Sequence, residues 1–128
     1  TKEVEDEVIN SLKPSYINGL SVLGGEPFEV ENQQGVFGLI SRAKSELPQK
    51  TVWVYSGFTY EELLGGSRAA TPTARKILDA ADILVDGRYD KNLRNISLNF
   101  RGSENQRIID LKKTRAAGKV VLAEEFYE

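Results

Sequence analysis

Thr51-Val52-Trp53-Val54-Tyr55-Ser56-Gly57 is the stretch that decides the fold. Its first five residues are β-branched or aromatic throughout, and Ser56-Gly57 ends the run. That is the composition of a short buried strand closed by a turn. Two other segments repeat the device. Leu20 to Leu23 runs into Gly24-Gly25-Glu26-Pro27, and Ile83-Leu84-Val85 runs into Asp86-Gly87. Strands that are apolar without alternation belong to a sheet that is parallel and covered on both faces.

Helical segments fill the intervals. Val4, Val8 and Leu12 lie at i, i+4 and i+8, with Ile9 beside them, and acidic residues crowd the first turn, where a helix favours negative charge. Residues 32–47 place Val36, Leu39, Ile40, Ala43 and Leu47 at helical spacing, and Pro48 closes them. Thr59 with Glu62 three residues on predicts a capped helix start. Pro72 suits the first turn of a helix carrying Ala74, Ile77, Leu78 and Ala81. Residues 88–103 read as a long loop, followed by a short helix over 104–113 and a final strand over 119–123. The order αβαβαβ defines an α/β fold of one domain, residues 1–128, with a mainly parallel sheet and right-handed crossovers. Because the chain starts on a helix, a barrel or half-barrel built this way lacks its first strand.

Composition narrows the chemistry. The 128 residues carry 17 Lys+Arg against 19 Asp+Glu, a net charge of −2, and contain no Cys, Met or His. Without Cys there is no disulfide, cysteine nucleophile or thiolate-ligated cluster. Without His the usual near-neutral acid–base group and imidazole metal ligand are missing too. A slightly acidic chain lacks the basic field of a nucleic-acid binder. Apolar runs such as Val120 to Ala123 fall far short of the roughly 20 residues that span a bilayer. The acidic N-terminus has no signal-peptide core, so a cytoplasmic protein without membrane or nucleic-acid partners is expected.

In open parallel sheets ligands bind at the carboxyl ends of the strands, and here three strands end in Gly-bearing turns. Gly24-Gly25-Glu26-Pro27 allows close backbone approach to a ligand and suits a zwitterion, with carbonyls for an ammonium and amides for a carboxylate. The same four residues also make a tight strand-to-helix turn without a ligand. Ser56 and Asp86 are placed to hydrogen-bond a ribose or hold a cation, or simply to shape their turns. Arg101-Gly102-Ser103 with Asn105-Gln106-Arg107 is dense in donors that fit an anion or a partner's backbone; Ser103 alternatively caps a helix beginning near Glu104. The run from Lys112 to Arg115 reads as a solvated helix end.

Four ordered blocks resemble one family. They are Leu23 to Pro27, Val52 to Phe58, Asp82 to Tyr89 and Leu98-Asn99-Phe100-Arg101-Gly102-Ser103-Glu104-Asn105-Gln106-Arg107-Ile108-Ile109-Asp110, the last being the most specific. Together they are similar to the activating proteins of anaerobic ribonucleoside-triphosphate reductase, over Glu3 to about Asp110. The resemblance implies a partial (β/α) barrel of the radical S-adenosylmethionine type. It also implies a 4Fe-4S cluster held by a CxxxCxxC loop, whose bound S-adenosylmethionine yields a 5′-deoxyadenosyl radical. That radical takes a hydrogen from a glycine of the partner, the reductase large subunit. On the matching motif Gly24, Gly25, Glu26 and Pro27 contact the methionyl amino group, largely through backbone, and Ser56 and Asp86 face the cofactor. Arg101, Ser103, Asn105 and Gln106 are left as partner or anion contacts.

This chain departs from the family at the cysteine loop, which precedes the Gly-Gly-Glu-Pro block in relatives and has no counterpart here. The expectation is therefore the C-terminal portion of an activase, without catalytic residues or metal ligands of its own and inactive alone. A non-catalytic α/β module that binds S-adenosylmethionine or a nucleotide, or docks on a reductase, reads the same residues differently. A missing first strand also implies self-association through an exposed sheet edge.

Overall fold

The computed structural model describes residues 2–12, 19–22, 26–95, 98 and 100–127. Helix α1 (Lys2–Leu12) leads to strand β1 (Gly19–Val22), helix α2 (Val30–Glu46) and strand β2 (Thr51–Tyr55). A short helix α3 (Tyr60–Leu64) and helix α4 (Pro72–Ala80) precede strand β3 (Ile83–Asp86). Strand β4 (Arg107–Asp110) and helix α5 (Leu111–Ala117) complete the regular elements, with 3-10 turns at Lys91–Leu93 and Glu124–Phe126.

The sheet is four-stranded in the order β1-β2-β3-β4 and is not closed into a barrel. β1 and β2 pair in parallel, as do β2 and β3, with Leu20 opposite Val52 and Val54 opposite Leu84. β4 runs antiparallel to β3, with Ile109 opposite Leu84. This corrects the expected run of elements at the C-terminal end. Ile108 and Ile109 are fully buried strand residues, and the helix begins after them, where Asp110 Oδ1 accepts from Lys113 N at 2.9 Å. The lysine–arginine run does fall on that helix, which ends on Gly118 in the left-handed region (φ 71°). Residues 119–123 are not a strand of the sheet. They lie along β4 through Asp110 N to Val121 O and Ala123 N to Ile108 O and a single bridge, Ile109 to Leu122.

The two faces of the sheet differ. Val52, Val54, Leu84 and Ile109 pack with Ile9 and Leu12 of α1, Ile40 and Ala43 of α2, and Ile77 and Leu78 of α4. Among the described residues no helix packs on the other face, which carries Ile83, Val85 and Ile108 under Ala123, Phe126 and Tyr127, with Trp53 and Tyr55 partly buried at its margin. Helices among the described residues thus cover one face rather than the expected two. Caps fix the helix starts: Thr59 and Glu62 form the expected capping box, and Thr71 accepts from Ala74 N ahead of Pro72. Among the described residues no helix is long and apolar enough to cross a membrane.

Candidate functional site

Parallel alignment of β1, β2 and β3 brings their carboxyl ends to one rim, and the Glu26 carboxylate ties that rim together. Gly24 and Gly25 lie outside the described residues. Directly after them, Glu26 Oε2 accepts from Phe28 N at 2.9 Å and from the Ser56 hydroxyl at 2.9 Å. Glu26 Oε1 accepts from Gly57 N at 2.7 Å. Ser56 Oγ in turn accepts from Phe58 N at 3.0 Å. The exit of the first turn is therefore clamped to the end of β2, and Ser56 is buried in making the clamp. The Glu26 carbonyl accepts from Glu29 N and from Asn32 Nδ2, so the same residue starts α2.

Asp86 sits at the end of β3 and is 1% exposed. Its carboxylate accepts from Tyr60 N at 2.7 Å and from Arg107 Nε at 3.0 Å, and Arg107 Nη2 closes a second bond to it. Arg107 also pairs with Glu61, Nη2 to Oε1 at 2.7 Å. Its hydrogen bonds to the Asp86 carboxylate, opposed by burial and supported by Glu61, hold the Arg107 guanidinium above its ordinary range. Arg107 likewise draws the Glu61 carboxyl below the usual carboxylate range. Within this donor-rich segment Arg107 is thus engaged by the chain's own Asp86. Arg107 itself carries the contact, joining β4 to β3 and α3.

The remaining residues of that segment are also bonded internally. Arg101 Nη1 donates to the carbonyls of Glu104 (2.9 Å) and Gln106 (2.8 Å), and its guanidinium lies 4.7 Å from the Tyr127 ring centroid. Ser103 Oγ accepts from Asp90 N and donates to Asn105 Oδ1; no helix begins beside it, which removes the capping alternative. Asn105 Nδ2 donates to Arg88 O. Gln106 Oε1 accepts from Gly102 N and Ser103 N, while its Nε2 donates to Gly87 O. These bonds fold residues 101–106 back onto residues 87–90 beside the rim.

What stays open is a cleft of about 340 Å³ bounded by Glu26, Pro27, Ser56, Gly57, Gly87, Tyr89 and Gln106, with Tyr55 and Val85 below. Asp86 is turned away and does not line it; Gly87, at φ 101°, does. Burial raises the Tyr55 phenol above its ordinary range, so it presents a neutral O–H group. Tyr89 was not anticipated from sequence. Gly102 makes room for its ring, since a Cβ there would meet Tyr89 Cδ1 at 3.1 Å. A larger cavity of about 650 Å³ runs toward the opposite end of the strands and shares Tyr55 with the first; it is bounded by Thr51, Trp53, Ile83, Phe100, Asp110 and Phe126 among others.

Metal ligation is a different matter. The chain contains no Cys and no His, and among the described residues no three carboxylates converge as a metal site.

Fold and rim define an α/β domain with a cleft at the carboxyl ends of parallel strands. Residues 1–109 match the family described as a 4Fe-4S single cluster domain. The anaerobic ribonucleoside-triphosphate reductase-activating protein of Escherichia coli K12 is 33% identical over 114 residues, covering 88% of this chain and 70% of that protein. The protein of the same name from Vibrio cholerae is 37% identical over 108 residues, covering 83% and 65%. That from Enterobacteria phage T4 is 32% identical over 108 residues, covering 84% and 63%. No solved structure matches. The chain belongs to the family of anaerobic ribonucleoside-triphosphate reductase-activating proteins.

Proposed function

We propose that this domain is the S-adenosylmethionine-holding part of an activase that generates a glycyl radical on the large subunit of anaerobic ribonucleoside-triphosphate reductase, arranged as a partial radical S-adenosylmethionine barrel. The observation that carries the reading is the Glu26 clamp. It sets Glu26, the residue that follows Gly24-Gly25 in sequence, against the end of β2, in a chain whose relatives are named for activating that reductase. The cleft fits S-adenosylmethionine in its donor set. It offers turn backbone, the Tyr89 ring and small residues at Gly57 and Gly87, as a zwitterion bound largely through main chain requires. In this reading Gly24, Gly25 and Pro27 receive the methionyl end. Glu26 and Ser56 hold the turn in place, while Asp86, bonded to Arg107, locks β3, β4 and α3 together outside the cleft.

The 4Fe-4S cluster does not fit. Thiolate ligation needs cysteines that this chain does not contain, so no radical step is derived for these residues. The same fact favours a second reading, a non-catalytic module that binds S-adenosylmethionine or a nucleotide, or docks on the reductase.

Two measurements separate the readings. Calorimetric titration with S-adenosylmethionine is expected to show saturable binding, and its absence sinks the cofactor role while leaving docking. Anaerobic incubation with iron and sulfide is expected to leave the chain without cluster absorbance. A stable cluster supporting radical formation would overturn the assignment of this chain as inactive alone.

A further inference from the structure

The sheet face without helices holds a feature that the cofactor cleft does not use. Trp53 sits on β2 with the Phe126 ring edge-on at 4.8 Å and the Phe100 ring tilted at 5.2 Å, and Phe100 meets Phe126 at 5.4 Å. Phe100 reaches this position from a left-handed backbone (φ 70°), which a bulky side chain adopts only where surrounding contacts hold it. The three rings border the 650 Å³ cavity. They extend toward the amino-terminal ends of the parallel strands, and Tyr55, whose ring stacks on Trp53 at 6.5 Å, separates them from the Glu26 cleft.

One of the three rings is weakly tethered. Residues up to Ala123 are fixed to β4 by main-chain bonds, and Ala123 itself is buried. Beyond it, among the described residues, the turn 124–127 is held at its base by Phe126 N donating to Ala123 O and, farther on, by Ile108 N donating to the Tyr127 hydroxyl at 2.7 Å. Its other attachments are the contacts of Phe126 and the stacking of Arg101 on Tyr127. This segment also follows the last residue of the family match, at 109. Ring contacts of this kind are individually weak, so the turn can leave while the sheet stays intact.

We propose that Trp53 and Phe100 form a binding seat for a flat aromatic ring, occupied in this structure by the chain's own Phe126, and that the turn 124–127 is a strap that opens about Ala123 to admit a ligand ring. A seat that holds a phenyl group edge-on in cis has the shape and polarizability to hold one in trans. Once the strap leaves with Glu125, the margin keeps Asp110 and Lys112, together with Asp82, which Lys44 already neutralises at 2.9 Å, so the charges balance and the ligand ring is neutral.

Trp53 is the only tryptophan and reports on the seat directly. The probes are acrylamide quenching of its fluorescence and binding of the neutral dye N-phenyl-1-naphthylamine. A chain ending at Ala123, F126A and Y127F are compared with the full chain, with far-ultraviolet circular dichroism as the folding control. Removing the strap is expected to raise dye affinity about tenfold, the order of one or two lost ring contacts, and to raise the quenching constant about twofold. F126A follows closely, and Y127F, which loses only the hydrogen bond, shifts less. If the shortened chain does not fold, F126A decides alone, because Phe126 is only partly buried. Dye affinity and quenching in F126A equal to the full chain would overturn the proposal.

Discussion

Glu26 and Asp86 occupy equivalent places, each at the carboxyl end of a parallel strand, yet they are satisfied by opposite means. Glu26 is held by neutral donors: two backbone amides and a hydroxyl. Asp86 is held by a guanidinium and one amide. Neutral donors fix a carboxylate's position without cancelling its charge, and Glu26 remains at the wall of the cleft. The guanidinium cancels the charge of Asp86 and leaves it inside the protein, out of contact with the cleft. Two acids that look alike in sequence thus do different work: one shapes a ligand turn, the other locks three elements.

The strongest way to break this contrast is R107M. It strands the buried Asp86 carboxylate with one amide. Loss of one partner of a buried pair costs about 3–5 kcal/mol, and the partial exposure of Arg107 places the expected loss near 3. Thermal unfolding should move down by roughly 10 °C for a chain of this size, with S-adenosylmethionine affinity little changed in the fraction still folded. E26Q should do the reverse. The amide keeps one acceptor and loses the other, so stability falls by about 1–2 kcal/mol, while ligand affinity falls about tenfold because the turn is no longer set; calorimetry at a temperature where the variant is folded reads this. Equal affinity in E26Q and the parent chain would erase the distinction between the two acids.

S56A removes one link in the same clamp, and denaturant unfolding should show about 1 kcal/mol or less. The smallest effect belongs to Glu61, 61% exposed at its side chain. Its carboxyl is lower in the folded chain than in the unfolded one. Its contribution is therefore present at and above the ordinary carboxylate range and is lost as pH falls through the folded value. Solvent screening holds this to about 0.5 kcal/mol, so E61Q should flatten the acid limb of the stability–pH curve only slightly.

Much of this architecture was legible. α1, α2, β2, α4 and β3 declare themselves through periodicity, unbroken β-branched runs and punctuating prolines and glycines, all local signals. The segment from Glu104 to Ala123 misled because Arg107-Ile108-Ile109-Asp110 offers only two apolar residues, too few to establish a period. Asp110 with Lys113 and Gly118 marked the true helix in hindsight, as cap and stop. At the site, the positions of Glu26, Ser56 and Asp86 at strand ends were readable, but the direction of each carboxylate was not. Arg107 reaches Asp86 from 21 positions away, and Glu61 joins it from another element. Nor does any local pattern tell that Gln33 is buried, donating to Phe28 O and Ala69 O. Such convergence is a property of the packed chain.

The reversal at β4 has a consequence for how this sheet can be enlarged. Its outer margin is already occupied by the segment through Leu122, and its direction breaks the parallel repeat. Among the described residues, β1 is the terminal strand on the other side, with β2 as its sheet neighbour. Growth is therefore one-ended. An additional parallel strand, whether from this polypeptide or supplied as a separate chain, can be received beside Gly19–Val22 and nowhere else along the described sheet. The rim that Glu26 organises lies next to that point of entry.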